Sequence, residues 1–177
     1  QDSDGPGGYA PDQSDTVYRD EGLKLNVDKN NTLTGVIRVG CGSVTAEFCA
    51  TRIDNLREIN GRASDYGIAL TIQRAKPGET PTFELYNAID YPKFPADVRG
   101  RYRYDLYYDG SQGRFNRRIW INTPAPGYTP TTDRHEFMHL LGAEHQREGS
   151  RSIMSYDKNR ATKPRYDDMQ RLINAYR

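Results

Sequence analysis

Eleven consecutive residues contain every histidine of the chain: His135-Glu136-Phe137-Met138-His139-Leu140-Leu141-Gly142-Ala143-Glu144-His145. Successive residues of an α-helix turn by about 100°, so His135 and His139 lie only about 40° from the same line and one turn apart. A continued helix would carry His145 about 120° away from that face. Because glycine enters the left-handed conformation at little steric cost, we predict that the helix ends at Gly142 and that the chain turns back to deliver His145.

Three neutral imidazoles next to a carboxylate form a pattern typical of a catalytic zinc site. Three protein ligands leave one position of a tetrahedral zinc ion open to water, whereas structural zinc sites use four. Zinc lowers the pKa of that water to about 7, and a carboxylate within hydrogen-bond distance can take its proton. Glu136, beside His135 on the same helix, is the candidate general base. The coincidence of these residues with a helix-breaking glycine outweighs the alternative of ordinary core or surface histidines.

The pattern H-E-x-x-H-x-x-G-x-x-H resembles the zinc signature of the metzincin metallopeptidases. Farther along, the stretch Ser152-Ile153-Met154-Ser155-Tyr156 resembles the Met-turn that lies beneath the metal in that group. The resemblance implies that His135, His139 and His145 bind one catalytic Zn²⁺ ion. It also implies that Met154 forms an apolar base under the ligands. Tyr156, two positions later, resembles the tyrosine of astacins and serralysins, which implies that it is a switchable fifth ligand and a donor to the oxyanion. An ordinary core or surface role for Tyr156 stays open.

The order of the predicted elements is similar to that of metzincin catalytic domains. Apolar periodicity predicts strands at 35–39, 68–72 and 82–86, a hairpin of 101–108 with 118–122, and helices at 44–64, 133–141 and 169–176. The resemblance implies an α+β fold with a twisted mixed sheet, an active-site helix and a small C-terminal subdomain that ends in a helix. We expect residues 1–34 to be an N-terminal extension packed on or preceding the core. Residues 35–177 would form the catalytic domain, divided into 35–142 and 143–177.

The subfamily stays open. The spacing between His145 and Met154 is short, as in matrixins, but no further histidine exists to build the structural zinc site of that subfamily. The sequence also lacks the Gly/Asp repeats that supply the calcium roll of serralysins. A calcium ion can still be present, but no motif indicates one. Residues 1–16 are rich in Gly, Pro, Asp and Ser, so we expect an irregular surface segment without functional residues there.

Composition excludes several classes of partner. The chain has 177 residues, which is the size of one domain, and a net charge of only +1. A charge so close to zero, without a run of Lys and Arg, argues against nucleic acid as a partner. No apolar stretch approaches the roughly 20 residues that cross a bilayer, so we expect no membrane insertion. We expect a monomer whose partners are polypeptide substrates.

The two cysteines, Cys41 and Cys49, leave two interpretations open. Arg38-Val39-Gly40-Cys41-Gly42 faintly resembles the cysteine switch of matrixin prosegments, in which a thiolate takes the open zinc position and the enzyme is latent. Alternatively, a Cys41–Cys49 disulfide ties the end of the first strand to the start of the next helix, since this separation is sterically reachable. We expect the bridge, because residues 35–40 are needed as the first core strand. A disulfide and the resemblance together imply secretion.

The leading hypothesis is a zinc-dependent endopeptidase that hydrolyses peptide bonds with a metal-activated water and Glu136 as general base. Residues 101–108 or their hairpin partner either pair with substrate backbone by strand addition or form an ordinary sheet with a tyrosine-packed face. A catalytically silent zinc-containing binding protein is the main alternative. A zinc hydrolase of another kind, such as a deacetylase, is a third hypothesis.

Overall fold

Residues 2–4 and 16–177 are described by a computed structural model, and they form one mixed β-sheet with three α-helices. The strands are β1 (Asp2–Asp4), β2 (Asn26–Val27), β3 (Thr32–Gly40), β4 (Gly61–Ala63), β5 (Tyr66–Arg74), β6 (Phe83–Asn87), β7 (Gly100–Asp109) and β8 (Gln112–Ile121). The helices are α1 (Ala46–Arg57), α2 (Pro130–Leu141) and α3 (Tyr166–Tyr176). Short 3-10 turns lie at Glu21–Leu23 and Ala88–Asp90.

The sheet has the strand order β1-β7-β8-β6-β3-β5-β4, and β2 pairs with β3. Strands β8, β6, β3 and β5 are parallel, and β7 pairs antiparallel with β8. This mixed sheet and its three helices are compatible with the predicted α+β class. Strand β7 therefore lies near one edge of the sheet, where only the three-residue β1 covers it among the described residues.

The core lies between the sheet and the helices. Strand β3 contributes Leu33, Ile37 and Val39, and α1 turns Ile53 and Leu56 toward them. Helix α2 differs from an ordinary surface helix, because every residue from Thr131 to Leu141 is buried. Its polar side chains must therefore find partners inside the protein. Within the described ranges, no helix is both long and apolar enough to span a bilayer.

The prediction of a helix over 44–64 is wrong at its C-terminal end. Helix α1 begins after Thr45, whose side chain accepts a hydrogen bond from the Phe48 N–H, and it ends at Arg57. Asn60 then pairs with the backbone of Leu70 in β5, through its amide nitrogen at 3.0 Å and its amide oxygen at 2.8 Å. This long-range pairing draws the next residues into β4, which overrides the local helical period.

Two other boundaries differ from the prediction. The hairpin strands are longer than predicted, because β7 and β8 pair continuously from Gly100↔Ile121 to Asp109↔Gln112. Helix α2 starts three residues before the predicted 133, with Pro130 at its first position, where the missing N–H costs nothing.

The prediction of an irregular N-terminal segment is wrong for Asp2–Asp4, which form β1 on the edge of β7. The remainder of that segment, residues 1 and 5–15, lies outside the described residues. The edge of β7 offers backbone N–H and carbonyl groups that can pair with another strand. Residues 2–4 pair with these groups, although their composition does not predict a strand.

Candidate metal centre

Helix α2 ends as the sequence predicts. Gly142 has a φ of 108°, in the left-handed region, and its N–H donates to the His139 carbonyl at 3.0 Å. The next N–H, from Ala143, donates to the Met138 carbonyl at 3.0 Å. These two bonds satisfy the last carbonyls of the helix and turn the chain back across its own end. The predicted helix break is confirmed, and it is what returns His145 to the helix.

The three histidines converge on one point. Their possible ligand atoms all lie within 4.8 Å of one another, and all three side chains are buried. The Nε2 atoms of His139 and His145 are 3.2 Å apart. Such a cluster can hold a metal ion, because three imidazole nitrogens at this separation can reach a single centre.

Backbone carbonyls orient two of the imidazoles. His135 Nδ1 lies 2.8 Å from the Ile153 carbonyl oxygen, and His139 Nδ1 lies 2.8 Å from that of Ala143. A carbonyl only accepts, and at His135 the carbonyl is nearer than the Arg160 Nη1 donor at 3.4 Å. Each Nδ1 therefore carries the proton and donates it, which leaves each Nε2 as a lone-pair donor toward the cluster. Within the described part of the chain, the buried His135 Nε2 has no hydrogen-bond partner. A metal ligand bond satisfies such an atom, so these residues fit a metal ion.

Burial also keeps these imidazoles in the ligand form. Removal from water lowers the pKa of His139 to about 4, and the same cause lowers the pKa of His135 below its usual range. Both rings are therefore neutral near pH 7. A neutral imidazole needs no deprotonation before it binds a divalent ion.

Glu136 follows His135 in α2 and lies against strand β7. It is fully buried, and strand β7 passes directly beside it at Gly100. A Cβ atom at Gly100 would lie 2.9 Å from Glu136 Cγ and 3.1 Å from Thr132 Cγ2. Only glycine allows this close approach without displacement of its neighbours. Strand β7 and the side chain of Glu136, the candidate general base, are therefore in direct contact at Gly100.

Tyr156 lies beside the histidines, and Met154 lies in a buried turn that is bonded to the segment after His145. The Tyr156 hydroxyl is 3.3 Å from His145 Nε2, close enough for both groups to contact one ion. Met154 is 1% exposed, and its carbonyl accepts a hydrogen bond from the Gln146 N–H at 2.9 Å. This bond ties the turn around Met154 to the segment that follows His145. The structure therefore brings His135, His139, His145 and Tyr156 together. It places Glu136 next to His135 in α2, and it ties the turn around Met154 to the segment after His145.

The predicted disulfide is confirmed. Cys41 and Cys49 are bonded, with their Cα atoms 5.9 Å apart. A bridged sulfur cannot supply a thiolate, so the interpretation of a latent chain held by Cys41 does not apply to this structure. The bond instead connects the end of β3 to the first turn of α1.

A second polar cluster, which no sequence motif indicates, lies beside the histidines. The carboxylate of Asp4 is fully buried and accepts hydrogen bonds from Arg99, Arg160 and Thr132. Arg160 also donates to the Ser155 carbonyl, at 3.1 Å, in the turn that contains Met154. No periodicity or spacing indicates this cluster, because its members are up to 156 positions apart in the chain.

A cavity of about 270 Å³ borders His139 on the side of β7. Its lining includes His139 and Gly142 from the end of α2, Tyr102 and Tyr104 from β7, and Tyr18. The centre is thus buried but borders a cavity along the edge strand. Comparison of the sequence with protein-family models finds no match, and comparison with curated proteins finds none either.

Proposed function

We propose that this chain is a zinc-dependent endopeptidase of the metzincin type. The single observation that carries the proposal is the convergence of three buried imidazoles on one point, with the buried Glu136 next to His135 in the same helix. The signature from His135 to His145, the turn around Met154 and the order of helices and strands support the metzincin assignment. Metal-assisted hydrolysis needs this combination of an open ligand set and a nearby carboxylate.

Zinc is the ion that the donors favour. Three neutral imidazoles with a phenol nearby suit Zn²⁺ better than Ca²⁺ or Mg²⁺, which prefer oxygen ligands. His135, His139 and His145 would hold the ion, with Tyr156 within reach as a further ligand. When bound, zinc supplies a Lewis acid that makes a coordinated water acidic near neutral pH.

The side chains divide the remaining chemistry. Glu136 takes the proton of the attacking water and later passes it to the leaving amine, so that the amine departs neutral. The Tyr156 hydroxyl donates to the oxyanion that forms on the scissile carbonyl. Because Glu136 is buried, bulk water has little access to its carboxylate. The attacking water is then the main source of the proton that this carboxylate accepts.

Substrate backbone would lie along β7. Strand β7 passes Glu136 at Gly100, where β1 pairs with it, so a substrate would take the place of β1 on this edge. Strand edges bind extended peptides through main-chain hydrogen bonds. Main-chain pairing requires no particular sequence, which is suited to a polypeptide substrate. The Cys41–Cys49 disulfide is consistent with an oxidising compartment and supports secretion as the location.

Glu136→Gln tests the proposal. The substitution keeps the volume of the side chain but removes the base, so we expect proteolysis of an unfolded protein substrate to fall at least about hundredfold. The zinc content, measured by elemental analysis, should stay at one ion per chain. Glu58→Gln, on an exposed residue of the same type, is the matched control and should keep full activity.

The alternative functions give different results in the same assay. A catalytically silent binding protein would bind zinc, but neither the parent chain nor Glu136→Gln would cleave the substrate. Mass spectrometry would then find the substrate intact. A deacetylase would remove acyl groups without cutting the chain. If Glu136→Gln stayed within tenfold of the parent in peptide-bond cleavage, the assignment of the base would be wrong.

A further inference from the structure

Asp4 lies in a pocket built for a carboxylate. Arg160 binds both of its oxygens, with Nη1–Oδ1 and Nη2–Oδ2 distances of 2.9 Å. Arg99 Nη2 donates to Oδ1 at 3.0 Å, and Thr132 Oγ1 donates to Oδ2 at 2.8 Å. The pocket thus offers two guanidinium groups and a hydroxyl to one fully buried side chain. A bidentate arginine is geometrically specific for a planar, charged acceptor.

This pocket borders the catalytic residues. Thr132 precedes Glu136 by one turn of α2, and both side chains lie against Gly100 of β7. Gly100 in turn is the strand partner of Asp4. The carboxylate pocket is therefore next to the candidate general base, on the side of the N-terminal end of α2.

Strand β1 lies where a substrate would bind. It pairs antiparallel with the edge of β7, from Asp2↔Tyr102 to Asp4↔Gly100, and this is the part of β7 beside Glu136. Tyr102 shares a cavity with His139, near the C-terminal end of α2. The chain of β1 therefore runs from the His139 side of the helix toward its N-terminal end. A peptide laid in this direction passes the histidines before its side chain enters the carboxylate pocket.

We propose that the pocket formed by Arg99, Arg160 and Thr132 is a substrate subsite selective for acidic side chains. In this arrangement the enzyme cleaves on the amino side of Asp or Glu, and Asp4 of the chain itself occupies the subsite as an internal competitor. The inference rests on the proposed peptidase function and names its substrate class: polypeptides with an acidic residue directly after the scissile bond.

The selectivity has a direct physical cause. A neutral amide in the same pocket would leave the charge of two half-buried guanidinium groups without an anion, and an apolar side chain would also leave their donors without that acceptor. A site that binds a polar group has a much lower kcat/KM for an analogue that lacks this group, because the polar groups of the protein then have no hydrogen-bond partner. A cavity of about 670 Å³, lined in part by Arg99, Arg160 and Tyr156, adjoins the pocket and gives space for the longer side chain of Glu.

The first experiment profiles the parent chain with peptides that differ only at the position after the scissile bond. We expect Asp and Glu to raise kcat/KM at least tenfold above Asn, Gln and Leu. Arg160→Met should reduce this preference at least tenfold, while Arg74→Met, on an exposed arginine, should leave it unchanged. Because the profile of the parent needs no variant, a poorly folded Arg160→Met does not prevent the test.

The second experiment removes the internal competitor. Asp4→Ala in the full chain should raise kcat/KM for the acidic peptide at least threefold, with one zinc ion per chain retained. Cleavage without preference for acidic residues would overturn the subsite while the peptidase function stands. Absence of cleavage by both the parent and Asp4→Ala would overturn the peptidase function and the subsite together. A loss of activity in Asp4→Ala with zinc retained would show that Asp4 positions the site, which contradicts its role as a competitor.

Discussion

The substitution Gly142→Ala tests whether the end of α2 builds the metal centre. Gly142 has a φ of 108°, and a Cβ atom there would lie 2.5 Å from the Tyr18 carbonyl oxygen and 2.8 Å from its carbonyl carbon. These two atoms belong to the backbone, so no side-chain rotation relieves the contact. The Tyr18 N–H also donates to the Gly142 carbonyl at 2.9 Å, which fixes the two segments together.

The expected loss of stability has two sources. The left-handed conformation costs a residue with a Cβ roughly 1–2 kcal/mol of free energy. The contact with Tyr18 adds roughly 1–3 kcal/mol, the usual cost of an extra methyl in a packed site. The sum is about 2–5 kcal/mol, which corresponds to a fall in Tm of roughly 4–20 °C for a chain of this size.

Denaturant unfolding, thermal unfolding and a zinc titration measure these effects. Gly78→Ala is the matched control, because Gly78 also has a positive φ, of 87°, but its added Cβ would have no atom within 4 Å. It should lose only about 1–2 kcal/mol and keep its zinc affinity. Gly142→Ala should in addition bind zinc more weakly, since His145 follows the turn. Equal losses of stability in the two variants, with zinc affinity unchanged in both, would refute the reasoning.

Three further predictions concern other parts of the chain. Replacement of Cys41 and Cys49 by serine should lower the free energy of unfolding by about 2.5 kcal/mol, the loop-entropy value for this separation. Arg52→Ala should cost roughly 3 kcal/mol in urea unfolding, because it removes the cation that lies 2.9 Å from the buried Asp133 carboxylate and leaves that charge with only the neutral donors Asn55 and Tyr128. Burial raises the pKa of Asp4, but the guanidinium groups of Arg160 and Arg99 outweigh this effect and lower that pKa below its usual value, so Asp4 stabilises the fold above about pH 4. The stability difference between the parent and Asp4→Asn should therefore shrink as the pH falls below 4.

Each of these predictions has a contrary outcome. A reduced chain with the same denaturation midpoint as the bridged chain would show that the disulfide does not stabilise the fold. Lys163→Ala, which breaks an exposed pair with Glu58, should cost less than about 1 kcal/mol, and a similar small cost for Arg52→Ala would contradict the argument from burial. For Asp4, a stability difference that stays constant between pH 6 and pH 3 would contradict the direction of its pKa shift.

Local signals predicted most of the metal centre. The spacing of His135 and His139 and the position of Gly142 depend only on helix geometry and on the absence of a Cβ, so they can be recognised without any tertiary contact. The strands at β3, β5 and β6 and the hairpin of β7 with β8 follow from apolar alternation. The C-terminal extent of α1 was not predictable, because a hydrogen-bond pair between Asn60 and Leu70 decides it.

By itself, the sequence determined the elements whose cause lies within a few residues: a helix that breaks at Gly142, and three histidines placed to meet on one side of the break. Only the tertiary structure decided that Asp4 lies beside Thr132, 128 positions away, and on Arg160, 156 positions away. The physical reason is that such a contact depends on the packing of the whole sheet against α2. Bringing residues so far apart in the chain into contact costs loop-closure entropy, which only the packing of the whole fold offsets. A local sequence pattern therefore does not predict this contact.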